Sequence, residues 1–159
     1  MRLKMNGAAT RLAVCGIFLI GLMSACSDSS TPAVAPTPTV NLTGTWIGTV
    51  TVPDASARMT WTLTQTDMNV TGPVLVALPS GTVLLNGFLT GTLSGSSLTY
   101  TITVPPGSIP LQVACSGQIG GTMTVTIGGT STLSGTPTVT SSTCGTPPFP
   151  VGPITLTKQ

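Results

Sequence analysis

The chain has 159 residues, enough for one domain with appendages, and only 5% of them are charged, against about a quarter in an ordinary globular chain. Histidine and glutamate are absent, so Ser-His-Asp and Cys-His catalysis are excluded, and few titratable groups remain for general acid–base work. Arg2, Lys4 and Arg11 lie before Cys26, which leaves Arg58 and Lys158 against Asp28, Asp54 and Asp67; with no basic stripe, nucleic acid is not an expected partner.

The first predicted element is a leader. Arg2, Lys4 and Arg11 form a positive region, and a mostly apolar run follows from Leu12 to Ala25. That run is too short to cross a hydrocarbon core as a helix, which takes about 20 residues. It has the length of a signal-peptide core, and Cys15 lies within it. Leu22-Met23-Ser24-Ala25-Cys26 resembles the lipobox of bacterial lipoproteins, although Leu22 stands one place earlier than the usual pattern has it. The resemblance implies a signal peptide over 1–25, cleavage before Cys26, a thioether-linked lipid on Cys26 and acylation of its amino group. Such a head carries enough acyl chains for stable membrane attachment, which a single chain does not give. Ser27, rather than Asp, after the cysteine resembles the enterobacterial signal for export to the outer membrane. The expected location is therefore the cell envelope, with the membrane a partner through the N-terminal lipid.

Residues 26–41 read as the lipidated cysteine and a linker. Pro32, Pro36 and Pro38 fix the backbone in an extended form and no apolar periodicity is present, so the expected role is a spacer.

From Leu42 to Gln159 the pattern has period two. Trp46, Gly48, Val50 and Val52 share one face; so do Met59, Trp61 and Leu63; Val70, Val74, Val76 and Leu78; Leu98, Tyr100, Ile102 and Val104; Ile119, Met123, Val125 and Ile127; and Ile154 with Leu156. Threonine fills many of the alternate positions. Further strands are predicted near 82–93 and 130–140. Turn residues separate them at Pro53-Asp54, Thr66-Asp67, Pro79-Ser80-Gly81, Ser94-Gly95-Ser96, Gly128-Gly129 and the proline-rich stretch 145–153. This alternation predicts an all-β domain with one buried face per strand. Short connections predict antiparallel neighbours, and about eight such strands can close into an up-and-down barrel over 42–159. Glycines at 48, 72, 91, 121 and 135 suit tight barrel corners. The alternative architecture is a β-sandwich, although the Cys…Trp…Cys order of an immunoglobulin domain is missing because both tryptophans precede Cys115.

Gly44-Thr45-Trp46, opening the first strand, resembles the lipocalin and avidin families. The Trp61–Gln65 and Val70–Gly72 segments look avidin-like. The resemblance implies a small barrel with Trp46 plugging its closed end. It does not extend to biotin, which in avidin-type proteins relies on several tryptophans and a polar cluster where this chain has only Trp46 and Trp61.

Cys115 and Cys144 are the remaining thiols once Cys15 is removed and Cys26 acylated, and an exported chain favours a disulfide between them. Without histidine they make a poor metal site, and no cofactor is expected. The sequence points away from an enzyme and leaves three functional classes. The first is a binding module holding a small apolar ligand, with Trp46, Trp61, Tyr100 and Met123 as candidate contacts. The second is a surface or periplasmic protein-interaction or structural lipoprotein, with Phe149 in the 145–153 loop as a contact. The third is a protease inhibitor on a lipocalin-like barrel.

Overall fold

The computed structural model describes residues 40–52, 55–144 and 152–159. Alternation of aliphatic side chains with threonine gives nine strands: β1 Gly44–Val52, β2 Ala55–Thr66, β3 Asn69–Ala77, β4 Val83–Ser94, β5 Ser97–Val104, β6 Gly117–Thr126, β7 Thr132–Gly135, β8 Thr138–Ser142 and β9 Ile154–Lys158. Each strand pairs antiparallel with the next from β1 to β7; β7 then pairs with β9, and β9 with β1. Eight strands thus form a closed ring, with β8 as an extra strand alongside β6. The expected barrel is present and the sandwich alternative falls away.

The extra strand corrects the single strand expected near 130–140. On β6, Met123 faces Gly135 of β7 and Gly120 faces Thr138 of β8, so the line of β7 continues into β8 in the same register. The interruption lies at Thr136–Pro137, where proline has no N–H to give to the ladder. A similar break separates β2 from β3. Their pairing skips from Trp61–Val74 to Thr64–Thr71, and the skipped residues on β3 are Gly72 and Pro73.

One face of every long strand is buried. Ala57, Met59, Trp61 and Leu63 point inward from β2; Leu98, Tyr100, Ile102 and Val104 do so from β5. The threonines between them stay in contact with solvent. Ile127, expected on the inner face after Val125, is 54% exposed because β6 ends at Thr126 and the chain leaves the wall. The closed end carries two-residue hairpins at Asp67-Met68 and Gly95-Ser96. Asp67 takes the left-handed backbone there, with φ 54°, a conformation that Asp tolerates better than most residues.

Trp46 closes this end. Its ring is fully buried, and its Nε1 donates to the Leu42 carbonyl at 2.8 Å. The Gln65 side chain holds the entering segment: its Oε1 accepts from the Leu42 N–H at 2.8 Å, and its Nε2 donates to the carbonyls of Val40 and Asp67. The end of the chain returns to the same place. Lys158 Nζ donates to the Asn41 carbonyl at 2.9 Å and lies 5.6 Å from the centre of the Trp46 ring, within cation–π range.

The plug makes a graded stability prediction. Trp46→Phe keeps most of the ring but loses the bond to Leu42, so unfolding in urea should show a loss of about 1 kcal/mol. Trp46→Ala also empties the end of the barrel and should cost about 3–5 kcal/mol, with an unchanged dependence on denaturant.

Candidate functional site

Two places in the barrel differ from its uniform packing. The first is inside. Tyr100 is buried, and its register partners on both sides are glycines, Gly91 on β4 and Gly121 on β6. The missing side chains leave room for the phenol, which meets Trp61 edge to face with ring centres 5.1 Å apart. Beside the two rings lies a cavity of about 20 Å³, walled by Met59, Val76, Ile102, Ile119, Pro137 and Ile154 among others. Trp61 Nε1 and the Tyr100 hydroxyl are both buried and both lack a hydrogen-bond partner among the described residues. Leaving such groups unpaired costs about 1–3 kcal/mol each.

Of the four interior residues singled out in the sequence, Trp61 and Tyr100 therefore sit together at this gap. Trp46 and Met123 are fully buried and do not line it; Trp46 belongs to the plug, and Met123 packs toward the closed end opposite Leu98 and Gly135.

The second place is the connection between β5 and β6, residues 105–116, at the end remote from Trp46. Ile109 is buried in the core and fixes the middle of this loop. Asn86 N–H donates to the Ser108 carbonyl at 2.8 Å, and Gly107 N–H to the Val113 carbonyl at 2.7 Å. A disulfide joins Cys115 to Cys144, 29 residues on, as the cysteine count predicts. Ser116 and Thr143 pair on either side of it, with the Ser116 N–H donating to Thr143 Oγ1 at 2.9 Å and the Thr143 N–H to the Ser116 carbonyl at 2.9 Å. A well-pinned loop thus presents Leu111 and Val113 to solvent, 81% and 67% exposed. Ile109, Leu111 and Val113 keep period two here, but Pro105, Pro106, Gly107 and Pro110 break the strand pattern around them, so the loop does not stand out in the sequence.

Charge is almost missing from both places. Among the described residues only Arg58, Asp67 and Lys158 are charged, and none lies between Asp67 and Lys158. No group of three or more metal-ligating side chains occurs among the described residues. Cys26 with the leader and linker, and Phe149 of the proline-rich stretch, lie outside the described residues.

Comparison of the chain with protein-family models, with curated proteins and with solved structures finds no match. The closed eight-stranded antiparallel barrel is consistent with a lipocalin- or avidin-like domain.

Burial pushes the Tyr100 phenol up to about 12, because the phenolate would lose its hydration. The folded value lies above the unfolded one, so the stabilising contribution is complete below the ordinary phenol value of 10.0 and disappears as pH rises toward 12. Tyr100 is the chain's one tyrosine, so absorbance at the phenolate band reports it alone. Near pH 11 denatured protein should be about nine-tenths ionised and native protein only about one-tenth, and the midpoint of unfolding should fall as pH rises from 10 to 12.

Proposed function

We propose that the chain is a lipid-anchored cell-envelope protein whose packed barrel is a rigid stand for an apolar contact loop. The observation that carries this reading is the loop 105–116, which exposes Leu111 and Val113 while Ile109 and the Cys115–Cys144 disulfide hold it in place. A pinned loop loses little conformational freedom on docking, which lowers the cost of association. Exposed aliphatic side chains without charged neighbours suit an uncharged, apolar surface on a protein partner.

The location rests on the lipobox resemblance around Cys26 and on a disulfide suited to an oxidising compartment. Anchored to the outer membrane, the domain would act within reach of the linker before residue 42. The interior supports a carrier role less well. Pockets for drug-sized ligands run to about 300–1,000 Å³; the gap beside Trp61 and Tyr100 measures about 20 Å³. No enzymatic step is proposed, and no protease-inhibiting segment is assigned.

Two experiments test the reading. Cys26→Ser should abolish uptake of labelled palmitate and release the chain from the membrane fraction; retained label would place the lipid elsewhere. Leu111→Asp with Val113→Asp should leave the unfolding midpoint within about 0.5 kcal/mol of wild type, since both side chains are exposed. Crosslinking in intact cells should then lose the partners that the wild-type chain captures. An unchanged set of crosslinked proteins would remove the loop from the account.

A further inference from the structure

The gap beside Trp61 and Tyr100 is independent of the loop 105–116 and calls for its own explanation. Two residues of its lining carry buried donors, the indole N–H of Trp61 and the hydroxyl of Tyr100, and neither donor has a partner among the described residues. Their residues are 0% and 3% exposed, so bulk water does not satisfy them. The remaining walls are apolar. A charged occupant is disfavoured because no cation lines the gap to offset its desolvation. A neutral oxygen meets both demands: it accepts from the two donors and costs little to bury once bonded.

Size sets the second limit. About 20 Å³ is enough for one water, which needs at least about 10–15 Å³. The position of the gap offers a way in for something slightly larger. Pro137 and Ile154 form part of its wall, and here the pairing of that wall is interrupted. Pro137 interrupts the β7–β8 line, and Ile154 is the last β9 residue paired with β7. Gly121 lies on the facing strand. A methyl group there would stand 3.5 Å from the Tyr100 hydroxyl, 3.1 Å from the Thr136 carbonyl oxygen and 3.6 Å from Pro137 Cα. The glycine thus keeps open the space between the phenol and the break in the wall.

We propose that this gap is a binding site for one neutral oxygen acceptor, held by Trp61 Nε1–H and the Tyr100 hydroxyl. The oxygen belongs either to a water or to the carbonyl or hydroxyl of a molecule of a few heavy atoms entering beside Pro137. Gly121 is the positioning residue: having no side chain, it leaves the Tyr100 hydroxyl uncovered beside Thr136 and Pro137.

The test uses the full chain in detergent micelles, labelled with nitrogen-15, because the two indole N–H signals separate the site from the plug. Trp46 is bonded to Leu42 and serves as the internal control. In the first arm, magnetisation transfer from water should reach the Trp61 indole and not that of Trp46. In the second, 2-butanone should shift the Trp61 signal saturably, whereas 2-methylbutane, which lacks the acceptor, should not. Tyr100→Phe should weaken 2-butanone at least tenfold, about 1.4 kcal/mol. Gly121→Ala keeps both donors and should abolish whichever response the wild-type chain gives. Transfer without a ketone shift assigns the oxygen to water, and a saturable ketone shift assigns it to a small molecule. The proposal is overturned if neither arm responds, or if any response of the wild-type chain persists in Gly121→Ala. A Tyr100 hydroxyl found bonded to the Thr136 carbonyl in a crystal structure would overturn it equally.

Discussion

Eight strands that close on themselves enclose a core of fixed width, and every inward position must fit that width. Such a ring leaves an interior just wide enough for side chains. Large and small residues must therefore alternate around the wall. Tyr100 between Gly91 and Gly121 is one solution; Val74 facing Gly87 across β3 and β4 is another. Where a glycine occurs at an inward position, the neighbouring strand often comes close. A side chain at Gly48 would run into the Thr155 carbonyl, and one at Gly135 into that of Thr122. The same constraint explains why the gap between the Trp61 and Tyr100 rings and their neighbours is small.

The two ends solve different problems. At the closed end, residues far apart in sequence meet: Leu42 and Asn41 from the entering chain, Gln65 from β2, and Lys158 from the last strand. Their hydrogen bonds tie the first and last strands together, which completes the ring. At the other end the loop 105–116 is buried through Ile109 and crosslinked through Cys115, and its remaining apolar side chains stay outside. A domain built this way has a solid interior and one stiff, uncharged edge. The proposed contact role follows from that contrast.

Much of the fold was legible because its signals are local. The alternation in Ser97–Val104 reads directly as a half-buried strand, and Asp67 and Gly95 mark turns that the structure contains. Trp46 was legible as a plug through the resemblance to lipocalins and avidins that it carries with Gly44, and the disulfide from counting cysteines. The rest depends on pairing between distant residues. Nothing near Pro137 in sequence shows that it interrupts a line of pairing along β6, and nothing near Ile127 shows that the strand has already ended. Lys158 reads as a stray terminal charge until Trp46 lies beneath it. The gap is less legible still. Trp61 and Tyr100 were both readable as inward residues, but their unpaired donors follow from what the opposite wall fails to offer. The leader and the lipid site rest on sequence alone.

Closure between β1 and β9 carries the whole account, because without it the interior has a different width and neither the plug nor the gap survives. The most direct measurement is the pattern of backbone nuclear Overhauser contacts between these strands. The account predicts contacts linking Trp46 with Lys158, Ile47 with Thr157 and Gly48 with Leu156, residue pairs more than a hundred positions apart in the chain. If β1 shows contacts to β2 and none to the C-terminal strand, the ring is open and the barrel is contradicted.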